Sequence, residues 1–221
     1  MSLLSESQKK QVEERLAQNL LNPVTLMVFT QEFECDYCRE ARELAEELAG
    51  VTDKIKLEVL DLMKDKDKAV QLRVDKVPAI VIQNDKGMNV RFFGIPAGYE
   101  FSTFLTDIIL LSRGETQLAP ETKAALSGIN VPVHVQVFVT PTCAYCPGTV
   151  SVAHQFAMEN PHIQSDMVEV TEFPQLAVKY NVMGVPKTVI NDTIELLGQQ
   201  PEESLLRQIQ AAAKPPNPTY A

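Results

Sequence analysis

The sequence predicts an α/β protein of two tandem units of about 110 residues, each with a mixed central sheet flanked by helices. The chain has 221 residues, which is long for one compact domain. Two Cys-x-x-Cys motifs, at residues 35–38 and 143–146, use every cysteine. Pro78 and Pro186, each preceded by valine, lie 43 residues after the first cysteine of a motif. A spacing that occurs twice indicates one structural unit repeated.

An ungapped alignment within the chain strengthens this interpretation. Residues 69–82 align with residues 177–190, and seven of the fourteen positions are identical. Similar local propensities alone would not produce this identity together with the matched spacing of cysteine and proline. The polar stretch at residues 113–117 is the predicted boundary. We therefore expect an N-terminal unit at residues 1–116 and a C-terminal unit at residues 117–221.

The pattern of apolar residues predicts the elements of the N-terminal unit in chain order. Ser5 can cap the first helix, Pro23 breaks the chain after it, and residues 24–29 form a continuous β-prone run. The sequence predicts helices at about residues 6–20, 38–50, 65–72 and 99–111, and strands at 24–29, 55–59, 79–83 and 90–93.

The C-terminal unit repeats this order. A helix is expected at residues 120–126, a strand at 133–139 and a further helix after the second cysteine motif. In each unit we expect the first three strands, joined by helical crossovers, to run mostly parallel at the centre of the sheet. The hairpin strand that follows is expected to add an antiparallel edge.

The composition argues against two classes of partner. Lysine and arginine number 20 against 29 acids, so the formal net charge is −9, and an acidic surface repels nucleic acid and anionic membranes. The start of the chain lacks the basic and apolar regions of a signal peptide, and the apolar run at residues 108–111 is too short to span a bilayer. We therefore expect a cytoplasmic protein, in which paired cysteines are usually redox-active or metal-binding.

The cysteine motifs predict thiol–disulfide exchange. Each lies between a predicted strand and a predicted helix, which places its first cysteine at a helix N-terminus. Unpaired N–H groups and the helix dipole favour a thiolate there, so Cys35 and Cys143 are the candidate nucleophiles. Cys38 and Cys146, one turn later and more buried, are the candidate resolving thiols that attack a mixed disulfide.

Two such motifs, each followed by a Val-Pro pair before a strand, resemble the thioredoxin superfamily. The two units are accordingly expected to be tandem thioredoxin folds. The resemblance implies that Pro78 and Pro186 are in the cis form beside the cysteines and shape the groove that receives substrate. It also implies that the backbone of Val77 and Val185 pairs with a substrate strand.

More specifically, residues 5–212 resemble the tandem glutaredoxin-like protein disulfide oxidoreductases. The resemblance rests on both units, on Tyr37 and Tyr145 in the third motif position, and on Pro147 after the second motif. It implies reductase, oxidase or isomerase activity on disulfide-containing proteins, without a bound cofactor and with electrons from NADPH through a thioredoxin reductase. The two tyrosines fit substrate contact and plain packing equally well.

The sequence departs from thioredoxins at one buried position. Thioredoxins carry an acid six residues before the first cysteine, where this chain has Phe29 and Val137. We therefore expect a different group, or water, to accept the proton of the resolving thiol.

The two sites are expected to differ in reactivity. Three acids, at positions 32, 34 and 36, surround Cys35, whereas none lies between residues 139 and 148. Acids near a thiolate raise the pKa of the thiol, although Arg39 and Arg42 offset part of that effect. We predict that Cys143 has the lower pKa and is the more reactive cysteine.

Other functions fit the same residues less well. Zinc ribbons separate their cysteine pairs by about 15–20 residues, whereas 104 residues intervene here, so we expect no metal, and we rank an iron–sulfur cluster equally low. An electron carrier to a peroxiredoxin is one alternative, because the tandem-thioredoxin domain of the alkyl hydroperoxide reductase flavoprotein has a similar layout, although it usually keeps one motif. A peptide-binding chaperone module is another. The three histidines share no spacing with the cysteines and are expected at the surface or in packing.

Overall fold

A computed structural model describes residues 3–214, so the ends of the two predicted units, residues 1–2 and 215–221, lie outside the described residues. The described residues form eight helices: α1 (Glu6–Asn19), α2 (Cys38–Ala49), α3 (Lys66–Leu72), α4 (Glu100–Arg113), α5 (Pro120–Leu126), α6 (Cys146–Glu159), α7 (Pro174–Lys179) and α8 (Glu202–Ala212). They also form eight strands: β1 (Val24–Thr30), β2 (Ile55–Asp61), β3 (Ala79–Asn84), β4 (Asn89–Phe93), β5 (Val133–Val139), β6 (Ile163–Glu169), β7 (Lys187–Ile190) and β8 (Ile194–Leu197).

The local signals placed these elements well. Every element predicted for the N-terminal unit is present, with bounds within two residues of those expected. α1 begins with a capping box, in which the Ser5 side chain accepts the N–H of Gln8 while the Gln8 side chain accepts the N–H of Ser5. Capping and apolar periodicity are properties of neighbouring residues, which is why sequence alone reveals them.

All eight strands belong to one mixed sheet, in the order β2-β1-β3-β4-β6-β5-β7-β8. The second four strands repeat the order of the first four, as expected for two tandem thioredoxin folds. The halves meet where β4 pairs in parallel with β6, with Phe92 opposite Met167. β4, which was expected to be an edge strand, therefore lies inside the sheet, between β3 and β6. An edge leaves a row of backbone N–H and C=O groups open, and here the C-terminal unit covers that row.

The direction of the third strand in each unit also differs from the expectation. β3 runs antiparallel to β1, and β7 runs antiparallel to β5, so within each unit only the first two strands pair with each other in parallel. α3 is seven residues long and spans about 10 Å, whereas the seven residues of β2 span about 23 Å. A helix this short cannot carry the chain back to the level at which β2 begins. β3 therefore starts near the end of β2 and runs in the opposite direction.

The two faces of the sheet have separate cores. On one face, α2, α4 and α6 pack on strand residues that include Val28, Ile80 and Phe92. On the other face, α3 and α7 pack on residues that include Phe29 and Val81. Successive strand residues point to opposite faces, so burial on both sides produces the continuous apolar runs seen in the sequence. β1, β4, β5 and β6 run in the same direction, so their C-terminal ends lie at one end of the sheet. Both cysteine motifs lie at that end.

A buried ion pair crosses the seam between the units on the face of α3 and α7. Arg91 of β4 donates from Nε to Oδ1 of Asp166 on β6 at 2.7 Å, and both residues are at most 2% exposed. His134 lies 2.7 Å from the other carboxylate oxygen. Burial acts to raise the pKa of Asp166, but the Arg91 and His134 charges outweigh it and hold the pKa below its usual value. Removing one partner would leave an uncompensated charge in the interior.

The predicted boundary between the units falls between α4 and α5. Gly114 ends α4 with a φ of 66°, a left-handed conformation that glycine adopts without strain. The division at residue 116 stays a prediction, because the shared sheet makes the two halves one continuous structure. No helix in the described part of the chain is both long enough and apolar enough to cross a membrane.

Candidate redox sites at the two cysteine motifs

Both cysteine motifs are closed as disulfides beyond the ends of β1 and β5. In each pair, Cys35–Cys38 and Cys143–Cys146, the Cα atoms are 5.5 Å apart. α2 and α6 begin at the second cysteine of their motif. The first cysteine therefore lies one turn before the helix, which corrects its expected place at the helix N-terminus itself. The unpaired N–H groups of the first helical turn still point toward the motif.

The two cysteines of each motif differ in burial. Cys38 is 5% exposed and Cys146 is fully buried, whereas Cys35 and Cys143 are half-buried. A substrate disulfide can therefore reach the first sulfur but not the second. This asymmetry suits the predicted roles of nucleophile and resolving thiol, which stay predictions until the thiols are tested one by one.

A cis proline lies at the same end of the sheet as each motif. The Val77-Pro78 and Val185-Pro186 bonds are both cis, as the resemblance to the thioredoxin superfamily implies. Each proline is buried, and its carbonyl accepts the N–H of a glycine, Gly94 at 3.0 Å or Gly198 at 2.8 Å. Among residues 3–214, no hydrogen bond engages the backbone N–H or C=O of either valine. These groups are free to pair with an extended substrate segment.

The rims of the two sites carry exposed apolar side chains. Tyr37 is 42% exposed and Tyr145 is 69% exposed, so neither is a core residue. Phe33 precedes the first motif with 74% exposure, and Met183 precedes the second cis proline with 87% exposure. The exposure of the tyrosines favours substrate contact over packing, although contact itself stays a prediction.

Acidic side chains surround only the N-terminal motif. Glu34 and Asp36 are exposed, and neither forms an ion pair in the described part of the chain. Glu32 lies 4.0 Å from Lys64. The two arginines expected to offset these acids pair instead with glutamates of α2, at 2.7 and 2.6 Å. The predicted difference in thiol pKa between the two sites therefore keeps its electrostatic basis.

A buried carboxyl group from the N-terminal unit lies near the start of α6. Glu100 opens α4 and is 1% exposed, and neither of its carboxyl oxygens has a hydrogen-bond partner. The preceding residue, Tyr99, donates its N–H to the carbonyl of Pro141, two residues before Cys143, at 3.0 Å. α4 packs along α6 and runs in the same direction, and Asp107 of α4 meets His154 of α6. Glu100 lies seven residues before Asp107, which places it level with the first turn of α6, the turn that contains Cys146. Burial raises the pKa of Glu100 to about 7.

A second carboxyl group crosses the seam in the opposite direction. Glu172, in the loop after β6, accepts the N–H of Ile95 at 2.8 Å, next to the glycine that bonds the Pro78 carbonyl. Burial raises the pKa of Glu172 to about 7, and the nearby charges of Glu169 and Glu40 add to this effect. Glu40 lies two residues after Cys38. Each redox site thus has a carboxyl group of the other unit beside it.

Sequence reasoning missed both of these carboxyl groups. Glu100 has the sequence signature of an ordinary acid in the first turn of a helix, a position that the helix dipole favours. Glu172 carries no local signal at all. Their position beside a redox site depends on how the two units pack, so no spacing within one unit would reveal it. No group of three or more potential metal-ligating side chains occurs within residues 3–214.

This geometry defines a class of protein. A half-buried cysteine followed by a buried cysteine at a helix start, beside a cis proline, is the arrangement of a thioredoxin-fold protein that exchanges thiols and disulfides. A family model described as a thioredoxin domain matches residues 133–211. Thioredoxin of Methanocaldococcus jannaschii is 35% identical over 78 residues, which cover 92% of that protein and 35% of this chain.

Nearly the whole chain matches a solved protein disulfide oxidoreductase from Aeropyrum pernix. The two are 34% identical, with a TM-score of 0.88 and coverage of 95% of this chain and 93% of that one. The chain belongs to the protein disulfide oxidoreductases of the thioredoxin superfamily. The alkyl hydroperoxide reductase protein AhpF of Pseudomonas aeruginosa is 24% identical over 80% of this chain, which spans 32% of that longer relative.

Proposed function

We propose that the chain reduces disulfides in other proteins at its two cysteine motifs, and that it also forms or rearranges them when the partner is more reducing. One observation carries this proposal. At each motif a half-buried cysteine is backed by a buried cysteine, and a valine with no backbone hydrogen bond lies at the same end of the sheet. That arrangement brings a substrate disulfide to the first sulfur and keeps the second sulfur for the release step.

The reaction at the C-terminal site has two balanced steps. The Cys143 thiolate attacks one sulfur of the substrate disulfide, which forms a mixed disulfide and releases the other substrate sulfur as a thiolate that takes up a proton. Cys146 then loses its proton and attacks Cys143, which forms the protein disulfide and releases the second substrate thiol. Two electrons pass from the protein dithiol to the substrate disulfide. The N-terminal site performs the same steps with Cys35 and Cys38.

Glu100 is the proposed proton acceptor at the C-terminal site. It is buried level with the first turn of α6, and with a pKa raised to about 7 its carboxylate can take the proton of Cys146 near neutral pH. It does so without the strand acid of thioredoxins, whose place Val137 occupies. Glu172 is the corresponding candidate at the N-terminal site, where its carboxyl group lies beside the Gly94–Ile95 backbone.

We further propose that electrons reach the dithiols from NADPH through a thioredoxin reductase and that the protein acts in the cytoplasm on disulfide-containing proteins. The family supports this, because its members resemble thioredoxins in their motifs and fold. The composition supports it too, since a net charge of −9 disfavours nucleic acid and anionic membrane as partners.

The test is insulin disulfide reduction with dithiothreitol, comparing the parent with Cys35→Ser and Cys143→Ser. We expect Cys143→Ser to lower turnover far more than Cys35→Ser does. If both variants and the parent match the uncatalysed rate, the motifs are not catalytic. Serine variants that still suppress the aggregation of an unfolded protein would then favour the alternative of a peptide-binding chaperone module.

A second candidate function is electron transfer to a peroxiredoxin. The similarity to the alkyl hydroperoxide reductase protein AhpF over 80% of this chain favours it. The two functions differ in substrate preference, because a dedicated carrier would reduce one peroxiredoxin far faster than insulin. Reduction of an oxidised peroxiredoxin at no more than the insulin rate would count against the carrier.

A further inference from the structure

The two redox sites lie level with each other at one end of the shared sheet. A single row of paired residues crosses the sheet from β1 to β5 just before the two motifs: Phe29, Ala79, Phe93, Val168 and Phe138. The residue after each cis proline belongs to the same row, at Ala79 and at Lys187. Four strand spacings of about 4.8 Å separate β1 from β5, so the sites are about 19 Å apart at this level.

The backbone groups that can pair with a substrate are also matched between the sites. β3 and β7 run in the same direction, because each is antiparallel to the first strand of its unit and those first strands run the same way. Val77 and Val185 precede these strands, and their N–H and C=O groups have no hydrogen bond within residues 3–214. Such groups need a partner whose own backbone is unpaired, which an extended chain has and a folded domain has satisfied internally.

The exposed aromatic side chains gather at the same end of the sheet. Within residues 3–214 four aromatic residues are exposed, namely Phe33, Tyr37, Tyr99 and Tyr145. Three of them belong to the loops that carry the cysteines, and Tyr99 lies outside both loops. Aromatic rings that remain exposed and are grouped in one area indicate a binding surface, because each ring buries a large apolar area on contact.

Tyr99 lies between the two motifs. Across the sheet, α2 packs on β1 and β2, α4 on β3, and α6 on β4, β5 and β6. All three helices begin at the redox end, so Tyr99, which precedes α4, lies between the starts of α2 and α6. Its N–H donates to the carbonyl of Pro141 at 3.0 Å, and a Cβ on Gly98 would overlap that carbonyl. The backbone of Tyr99 is therefore held in place while its side chain stays 54% exposed.

We propose that one extended polypeptide occupies both redox sites at once, and that Tyr99 contacts the segment between its two reacting cysteines. The inference rests on the proposed function and names a substrate class for it: unfolded chains in which an apolar segment separates two oxidised cysteines. Each site carries out the exchange described above on one of these cysteines. The chain stays attached at one site while the other site reacts, and no further reactant is needed.

The distance between the sites sets a minimum length for that segment. A span of about 19 Å needs at least about six extended residues. The twist of the sheet turns the second groove relative to the first, so the segment must also bend and therefore be longer. Two cysteines with two residues between them reach about 11 Å at most and cannot occupy both sites, whereas a segment of about twelve residues can.

The experiment uses the Cys38→Ser, Cys146→Ser protein, in which a mixed disulfide cannot resolve. Peptides carry two cysteines activated as disulfides of nitrothiobenzoate, separated by two residues, by twelve apolar residues or by twelve glycines and serines. Each attack by the Cys35 or Cys143 thiolate forms one disulfide with the peptide and releases one coloured nitrothiobenzoate. Mass spectrometry identifies the bridged one-to-one adduct.

The measured quantity is the effective concentration for bridging. It is the rate constant of the second release divided by the rate constant of the same variant with a peptide that has one activated cysteine. We expect no bridged adduct with the two-residue spacer. We expect the apolar spacer to give about a fivefold higher effective concentration than the glycine-serine spacer of equal length, because it gains contact with the surface between the sites.

Three variants test the role of Tyr99. Tyr99→Ser is expected to remove most of the advantage of the apolar spacer, and Tyr99→Phe, which keeps the ring, is expected to retain it. Leu21→Ser is the control, because Leu21 is 62% exposed but lies before β1, at the opposite end of the sheet. It is expected to leave the effective concentration unchanged.

Three results would overturn the inference: a bridged adduct with the two-residue spacer, equal effective concentrations for the two longer spacers, or equal losses in Tyr99→Ser and Leu21→Ser. Failure of the proposed function has a different signature. In that case neither Cys35 nor Cys143 would react with the one-cysteine peptide faster than a free thiol does.

Discussion

The N-terminal and C-terminal redox sites have the same backbone arrangement and differ in the side chains around the cysteines. Both have the cysteine motif, the cis proline and the free valine backbone at the same edge of the sheet. Around the first motif stand Glu34 and Asp36, where the second has Thr142 and Ala144. The comparison shows that both units kept the cysteine pair and the cis proline. The loop side chains, which are expected to set the pKa of the first thiol, differ between them.

The carboxyl groups beside the two sites differ as well. Glu100 is 1% exposed and has no hydrogen-bond partner. Glu172 is half-buried and has one oxygen occupied by the N–H of Ile95. Burial raises the pKa of both carboxyl groups to about 7, so both sites have a base of similar strength. The acidic rim of the first motif is therefore the difference that predicts the faster turnover of the C-terminal site.

The largest expected effect comes from Glu100→Gln. Resolution at the C-terminal site should slow about 10²-fold near pH 8, because an amide cannot accept the proton of Cys146. The N-terminal site should be unaffected. Separate measurements in the Cys35→Ser and Cys143→Ser backgrounds check both statements. Equal losses at the two sites would mean that Glu100 supports the fold rather than the chemistry.

The same variant should be more stable than the parent at alkaline pH. The pKa of Glu100 is about 7 in the folded protein and ordinarily 4.5, so the folded protein holds a proton in this range that the unfolded chain releases. The free energy of unfolding of the parent therefore falls as pH rises from about 4.5 to about 7. Glu100→Gln removes up to about 3 kcal/mol of that fall. Urea unfolding at pH 5 and pH 8 measures it.

A smaller effect is expected from Gly98→Ala at the contact between the units. Gly98 has a φ of 59°, and a Cβ there would overlap the carbonyl of Pro141, before the second motif. The chain must shift, so exchange at the C-terminal site should fall about 10-fold and stability by about 2–4 kcal/mol. Gly87→Ala is the control, because Gly87 has a φ of 81° with open space around it. Equal effects of the two variants would show that backbone strain alone is responsible.

Exchanging the rim acids should change the thiol pKa values by about half a unit. Asp36→Ala removes an exposed acid beside Cys35, so the pKa of the Cys35 thiol should fall. Ala144→Asp makes the reciprocal change, so the pKa of the Cys143 thiol should rise. Rates of iodoacetamide alkylation against pH, in single-site backgrounds, measure both. A parent Cys35 pKa equal to or lower than that of Cys143 would contradict the predicted asymmetry before any variant is made.

The smallest expected effect concerns substrate charge. Asp75 precedes the first cis proline at the position that corresponds to Met183 near the second. Met183→Asp should favour a cationic disulfide peptide over a neutral one about twofold to fivefold at the C-terminal site, and 0.5 M salt should abolish the preference. Asp75→Met should do the reverse at the N-terminal site. A preference that survives salt would indicate shape rather than charge.

Much of this protein was determined by sequence alone. The two cysteine motifs, the Val-Pro pairs, the internal repeat and the bounds of the helices and strands all rest on residues near one another in the chain. Capping, periodicity and motif spacing are local, so they can be interpreted without knowledge of the packing. The family and its exchange chemistry followed from the same local features.

Only the tertiary structure decided how the two units pair in one sheet and which side chains meet between them. The reversal of β3 follows from a helix too short to cross the sheet, and the pairing of β4 with β6 comes from an edge that the second unit covers. The Asp107–His154 contact forms, and Glu100 comes level with the start of α6, only because α4 packs on α6. Charges and hydrogen bonds act through space, between residues that sequence leaves 40 or more positions apart, and folding alone makes them neighbours.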